Sequence, residues 1–182
     1  MKQIKNEKIY WTLFKHDQWK MYLAATVKGL CYVGSYDKGV EPLTSWAKST
    51  FEEVHLEQND EKLEPYIDEF KEYFEQKRNL FTFPVDLHGT DFQLLVWNAL
   101  LDIPYGETFS YSQLASNLQR PNAVRAVASA IGANPVLMAI PCHRVIGKNG
   151  ELRGYRGGIE MKKQLLELEK PLIHKQLHPC NH

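Results

Sequence analysis

The chain has 182 residues and equal numbers of basic and acidic side chains, 22 each, so its formal charge is zero and points to no charged partner. With 43% hydrophobic and 24% charged residues it has the balance of an ordinary globular protein. No apolar run reaches membrane-spanning length, the first residues hold no secretory signal core, and Cys31, Cys142 and Cys180 are too far apart for a disulfide framework, so a reducing, cytoplasmic setting away from membranes is expected.

Residues 8–14 read as a strand, and 19–27 and 30–35 as two more, joined by a turn at Lys28-Gly29. They fit a small antiparallel sheet. Residues 46–55 read as a weakly amphipathic helix. A stronger helix over 61–76 puts Leu63, Ile67, Phe70 and Phe74 on one face. Residues 81–85 read as a short edge strand. This half shows no chemistry, and its charged helices are most simply solvated faces. A boundary near residues 86–89 divides a first domain, 1–85, from a second, 86–182.

Thr90 and Gln93 have capping-box spacing and open a helix with Phe92, Leu95, Val96, Ala99 and Leu100 on one face. Ser110 and Gln113 repeat the box, followed by Tyr111, Leu114, Ala115 and Leu118 at helical spacing. After the turn Gln119-Arg120-Pro121, Asn122 reads as an N-cap, and Val124, Val127, Ala128 and Ile131 form a second apolar face. Two short helices across a tight turn are a helix-turn-helix candidate. The outer face of the second carries Arg125 among Ala126, Ser129, Ala130, Gly132 and Ala133. Residues that small admit a bulky partner such as a nucleic-acid groove, or the protein's own chain. Charge is unevenly spread: residues 103–158 hold six basic and two acidic side chains, net +4, while 1–84 hold twelve and fourteen, net −2. A local basic patch suits a polyanion, with chance asymmetry as the simpler alternative from charge alone.

Residues 136–140 read as a buried strand leading to Pro141-Cys142-His143-Arg144-Val145. A thiol beside an imidazole is a candidate nucleophile with its base; a buried structural cysteine is the alternative. Neighbours on a strand point to opposite faces, so His143 reaches the Cys142 sulfur only through a turn or a water. Gly147 to Gly150 form a turn, and Gly154-Tyr155-Arg156-Gly157-Gly158 a flexible loop that can approach a ligand. In the helix 159–169, Glu169 shares the apolar face of Met161, Leu165 and Leu168, whereas Glu167 lies opposite. A carboxylate on a buried face needs a partner, and Glu169 is the candidate to orient His143; a carboxylate at a fraying helix end is the alternative. Lys162, near the same face, is expected to snorkel outward. Cys180 with His178 and His182 could hold a metal, but a frayed tail is simpler, and no metal site is assigned.

The Pro141–Val145 segment, with Asn134-Pro135 before it, the 154–158 loop after it and the helices at 110–115 and 123–127, closely resembles the O6-alkylguanine-DNA alkyltransferases over residues 89–169. The resemblance implies an α/β protein: a ribonuclease-H-like N-terminal sheet with helices, then a mostly helical C-terminal domain with a winged helix-turn-helix. It implies irreversible transfer of a methyl or small alkyl group from O6 of guanine, and from O4 of thymine, to Cys142, once per molecule and without a cofactor. The partner implied is double-stranded DNA containing O6-alkylguanine, bound by a monomer. Residue by residue, Cys142 matches the acceptor, His143 the base acting through water, Glu169 its orienting carboxylate and Asn134 the residue bonding around the active-site turn. Tyr111 matches the phenol that assists the leaving guanine, and Arg125 the finger that fills the gap of the flipped nucleotide. Ser112, Arg120, Lys148 and Tyr155 complete the expected DNA contacts. Arg156 departs from members that carry a serine there. A cysteine hydrolase, and a DNA-binding regulator with a structural cysteine, are the rival functions.

Overall fold

The computed structural model describes residues 6–170. Its first half is a four-stranded sheet in the order β3-β2-β1-β4, formed by β1 (Glu7–His16), β2 (Trp19–Ala25), β3 (Leu30–Val33) and β4 (Val54–Gln58). The first three strands are antiparallel as expected, but β4 runs parallel to β1. Parallel neighbours require a crossover, supplied here by α1 (Glu41–Thr50) between β3 and β4. The helix expected over 46–55 therefore begins and ends earlier, and its final residues belong to a strand. Val54 and Leu56 suit a pleated surface better than a helix end.

Strand periodicity sends alternate residues to two cores. Ile9, Ala24, Cys31 and Tyr32 pack with Leu43, Ala47 and Phe51 around α1. Phe14, Met21, Leu23, Leu30 and Val33 belong to the other core, which takes in Leu63, Phe70 and Tyr73 of α2 (Asp60–Phe74) and continues into the second half. The catalytic candidates thus stand on the sheet's second face. Residues 81–85 do not form the expected strand. Pro84 O accepts from Leu30 N, and Asp86 N donates to Leu30 O, giving one bridge only. Gly29 permits this approach, since a Cβ there would stand 2.5 Å from Pro84 O.

The second half is helical: α3 (Asp91–Leu100), α4 (Tyr111–Asn117), α5 (Val124–Gly132) and α6 (Ile159–Leu168). Both capping boxes form, Thr90 with Gln93 and Ser110 with Gln113. Asn122 does not cap α5. It lies in a 3-10 turn, Pro121–Ala123, and Ala123 takes the N-cap position. The strands of this half, among the described residues, are the two-residue pair β5 (Phe109–Ser110) and β6 (Val145–Ile146), so the expected wing is reduced to a single parallel pairing. Leu114, Ala115, Val127 and Ile131 lock α4 on α5 and are all buried. No described helix is long and apolar enough to cross a membrane.

Candidate active site and nucleic-acid interface

Residues 136–140 turn back on themselves instead of extending. Ile140 N donates to Val136 O at 3.0 Å, and Met138 adopts φ 68°, a left-handed conformation uncommon outside glycine. Asn134 is the pin of this turn. It is fully buried, its Oδ1 accepts from Val136 N, and its Nδ2 donates both to Ile140 O at 2.9 Å and to Cys142 Sγ at 3.1 Å. Cys142 then opens a 3-10 turn, Cys142–Arg144. That turn removes the alternation that would have set His143 on the wrong side of a strand.

Cys142 is 2% exposed and His143 fully buried. His143 Nε2 lies 2.7 Å from Glu169 Oε1, and its Nδ1 is buried without a hydrogen bond among the described residues. Glu169 sits at the C-cap of α6. Its carboxylate also accepts from Arg144 Nε and Nη2, both at 2.9 Å, from Tyr73 Oη at 2.7 Å and from Gly106 N at 3.3 Å. Gly106 is needed there, because its φ is +80° and a Cβ would stand 2.9 Å from Glu169 O. Glu167 is exposed and pairs with Lys170 instead. The apolar-face argument therefore selected the carboxylate that meets His143.

These contacts set the charges. Burial alone would raise the Glu169 carboxyl, but hydrogen bonds from His143 and Arg144 more than offset it and hold it well below the usual carboxylate range. An ionised Glu169 makes Nε2 the protonated nitrogen and leaves the Nδ1 lone pair free. Burial also pulls the imidazole below its ordinary value, against the attraction of Glu169, so it stays neutral at neutral pH. The Cys142 thiol is pushed up by burial, with the Asn134 N–H and the charges of Arg156 and Lys162 opposing. The resting group is a protonated thiol with a base in reserve.

Tyr111 is half-buried at the rim and donates to Arg153 O at 2.9 Å. Burial, then the charge of Cys142, raises its phenol, which keeps its proton. Tyr155 is 9% exposed, with its hydroxyl unpartnered among the described residues. It belongs to the buried cluster, not to an open DNA-facing surface.

Lys162 does not snorkel. It is fully buried, donates to Val145 O and Arg153 O, and is pulled down to about 8 by burial. The Val145 and Arg153 carbonyls hold it in. Sequence reasoning also missed Arg144 and Tyr73 as partners of Glu169. A buried carboxylate was itself the signal to seek more than one donor, and Arg144 stands beside His143 in the chain.

The remaining candidates lie outside the buried cluster. Arg125, Ala126, Ser129, Gly132 and Ala133 are exposed on one face of α5, whereas Ala130 is buried and its carbonyl accepts from Trp97 Nε1. Ser112 and Arg120 are exposed on the neighbouring helix and turn, and the Arg120 guanidinium lies over the Phe92 ring. Lys148 is exposed on the turn after β6. The basic patch shrinks, because Arg144 and Arg156 turn inward to internal acceptors. The metal candidate of His178, Cys180 and His182 lies outside the described residues.

Comparison with known proteins gives concordant matches. The family model described as 6-O-methylguanine DNA methyltransferase, ribonuclease-like domain, matches residues 9–87, and the DNA binding domain of the same family matches 91–171. The inducible methylated-DNA–protein-cysteine methyltransferase of Bacillus subtilis is 57% identical over 89% of this chain and 90% of its own. A methylated-DNA–protein-cysteine methyltransferase of Methanosarcina acetivorans is 38% identical over 88% of this chain and 98% of its own. Among solved structures, the O6-methylguanine methyltransferase of Mycobacterium tuberculosis superposes with a TM-score of 0.77 at 38% identity, covering 89% of this chain and 93% of that one. The Mycobacterium tuberculosis OGT in complex with DNA gives 0.76 at 36%, covering 88% and 92%.

Proposed function

The chain belongs to the 6-O-methylguanine DNA methyltransferase family, and from that premise we propose that it repairs DNA by direct reversal, moving an alkyl group from O6 of guanine onto Cys142. The observation that carries this is the enclosed sulfur, held by Asn134 and followed by an imidazole whose free nitrogen is paired through the ring to an ionised carboxylate. His143 Nδ1 takes the thiol proton through a water. The thiolate attacks the alkyl carbon, an S–C bond forms and the C–O6 bond breaks. Tyr111 gives its proton to the departing guanine, since its phenol is held protonated until a better acceptor than Arg153 O arrives. The thioether product does not hydrolyse, so one molecule performs one repair. O4 of thymine is the second substrate we assign.

The target atom is hidden in the duplex, so the nucleotide must be flipped, at a few kcal/mol. The exposed small-residue face of α5 can enter a groove, with Arg125 filling the space left behind. We assign DNA contacts to Ser112, Arg120 and Lys148, which are exposed, and to Tyr155 in the loop that closes over the base. We divide the roles between a sheet half and an acceptor half at residues 85 and 86; the two family matches run over 9–87 and 91–171, so the first continues two residues past that division. A cytoplasmic location, with DNA and reducing conditions, suits the free Cys142 thiol.

Incubation with an O6-methylguanine duplex, followed by intact mass and peptide mapping, tests this. One methyl group on the Cys142 peptide and no further turnover are expected. Repeated turnover would favour a cysteine hydrolase, and binding without a mass change a DNA-binding regulator.

A further inference from the structure

The substrate loop carries Arg156 at the position where some family members carry serine. Its guanidinium is bound into the sheet half of the molecule. Nε donates to Asn134 O at 2.8 Å, Nη2 to Val33 O and to Pro135 O at 3.0 Å, and Nη1 to Tyr32 Oη at 3.2 Å. The Tyr32 ring also lies 5.0 Å from the guanidinium. The link runs in both directions, because Ser35 Oγ donates to Arg156 O at 2.9 Å. Val33 N donates to Pro135 O, so β3 is already stitched to the same turn. Asn134, whose backbone Arg156 holds, is the residue whose side chain holds the Cys142 sulfur.

We infer that Arg156 is a positioning residue that makes the N-terminal sheet part of the alkyl pocket: it straps the substrate loop and the Asn134 turn to β3, and so sets how large an alkyl group the site accepts. The inference rests on the alkyl transfer proposed above. A loop over a substituent admits a larger one only by moving outward. Gly154 and Gly158, at φ +49° and +90°, leave the loop backbone pliable at both ends. Arg156, between them, is fastened to backbone that cannot follow. A lysine cannot reproduce this, since it lacks the planar fork that reaches several acceptors at once.

The test compares the wild-type protein with Arg156→Ser, Arg156→Lys, Tyr32→Phe and Ser35→Ala, using duplexes carrying O6-methylguanine or O6-benzylguanine. Single-turnover rates and the pH midpoint of Cys142 labelling by iodoacetamide are read. Arg156→Ser should raise the benzyl-to-methyl rate ratio by at least about tenfold, the low end for losing even one of its four hydrogen bonds from a charged group, and should move the labelling midpoint upward. Arg156→Lys should change the ratio similarly while keeping the midpoint nearer wild type, because the charge remains. Ser35→Ala should shift the ratio the same way by about threefold, as a single neutral contact, and Tyr32→Phe by about tenfold, as one contact to the charged guanidinium. If Arg156→Ser unfolds, these two variants decide. Ratios within twofold of wild type in every folded variant would overturn the inference. Absence of alkyl transfer by the wild-type protein would instead overturn the function on which it rests.

Discussion

Glu169→Gln removes one charge and little volume, yet it should disable both stability and chemistry. The carboxylate accepts from His143, twice from Arg144, from Tyr73 and from Gly106 N. A glutamine has one acceptor oxygen, and its NH2 must face donors. Arg144 is left buried without a counter-charge, and breaking a buried pair in this way costs about 3–5 kcal/mol. At about 2–4 °C per kcal/mol for a chain of this size, Tm should fall by roughly 6–20 °C. The chemical loss has a separate cause. The glutamine NH2 can donate to Nε2, which moves the ring proton to Nδ1 and removes the base. A tautomer error of this kind costs about 10⁴ in rate in a catalytic triad, and a loss of roughly 10³ or more is expected here.

The pH dependence checks the same contact. Glu169 is depressed in the folded protein, so its stabilisation is complete above the unfolded value of about 4.3 and is lost as pH falls toward the folded value. His143 is also depressed, so its contribution is complete above about 6.5 and declines as pH falls below it. Both make wild-type protein less stable in acid, and Glu169→Gln should flatten the lower part of that profile. Thermal melts from pH 3 to 8 and single-turnover assays on duplex DNA measure the two effects. Wild-type rate and an unchanged acid profile in Glu169→Gln, or equal damage from Glu167→Gln, would refute the assignment.

Cys142→Ser should lose alkyl transfer yet still bind DNA in a mobility-shift assay, because a hydroxyl is a poor nucleophile at neutral pH and α5 is untouched. Arg125→Ala should slow repair of duplex DNA at least about tenfold more than reaction with a free O6-substituted guanine, since only the duplex requires flipping; equal losses would remove Arg125 from that role. Methylated protein should melt lower than fresh protein, because an added methyl group at a site 2% exposed overpacks it by about 1–3 kcal/mol. Iodoacetamide labelling of Cys142 in the folded protein should rise with pH through a midpoint above the value of about 8.5 for free cysteine, since burial raises the thiol; a midpoint near 6 would show a preformed thiolate.

The parts legible in the sequence are those fixed by local rules. Both capping boxes, and the apolar faces of α4 and α5, depend on residues three and four apart, and they form as spaced. Glu169 was identifiable because a carboxylate on a helix face with Met161 and Leu165 must be buried and paired. What stayed hidden depends on distant chain. The parallel β4 is defined by its pairing with β1, and nothing within residues 54–58 states that. Residues 136–140 are apolar enough for a strand, but Asn134 hydrogen bonds fold them into a turn. Lys162 was expected to reach solvent because carbonyls 9 and 17 residues away, which hold it inside, are invisible to a helical wheel. Arg144 and Arg156 counted as surface charge until their internal acceptors were located.

The two described cysteines separate burial from reactivity. Both are buried and free. Cys31 Sγ donates to Ala24 O at 3.4 Å, in a core of Ile9, Leu43 and Phe51, and burial raises it far beyond the reach of neutral pH. Cys142 is also raised by burial, but its surroundings oppose the shift: an amide N–H on the sulfur, and the positive charges of Arg156 and Lys162. Such groups stabilise negative charge on sulfur only once it appears. A resting thiolate would be open to any electrophile, and a protein used once cannot recover from a wrong reaction. In the mechanism proposed, the proton stays on sulfur until His143 removes it, which restricts the chemistry to a substrate already enclosed by the loop. The buried, protonated thiol is therefore consistent with a nucleophile that must react once, and with the right partner.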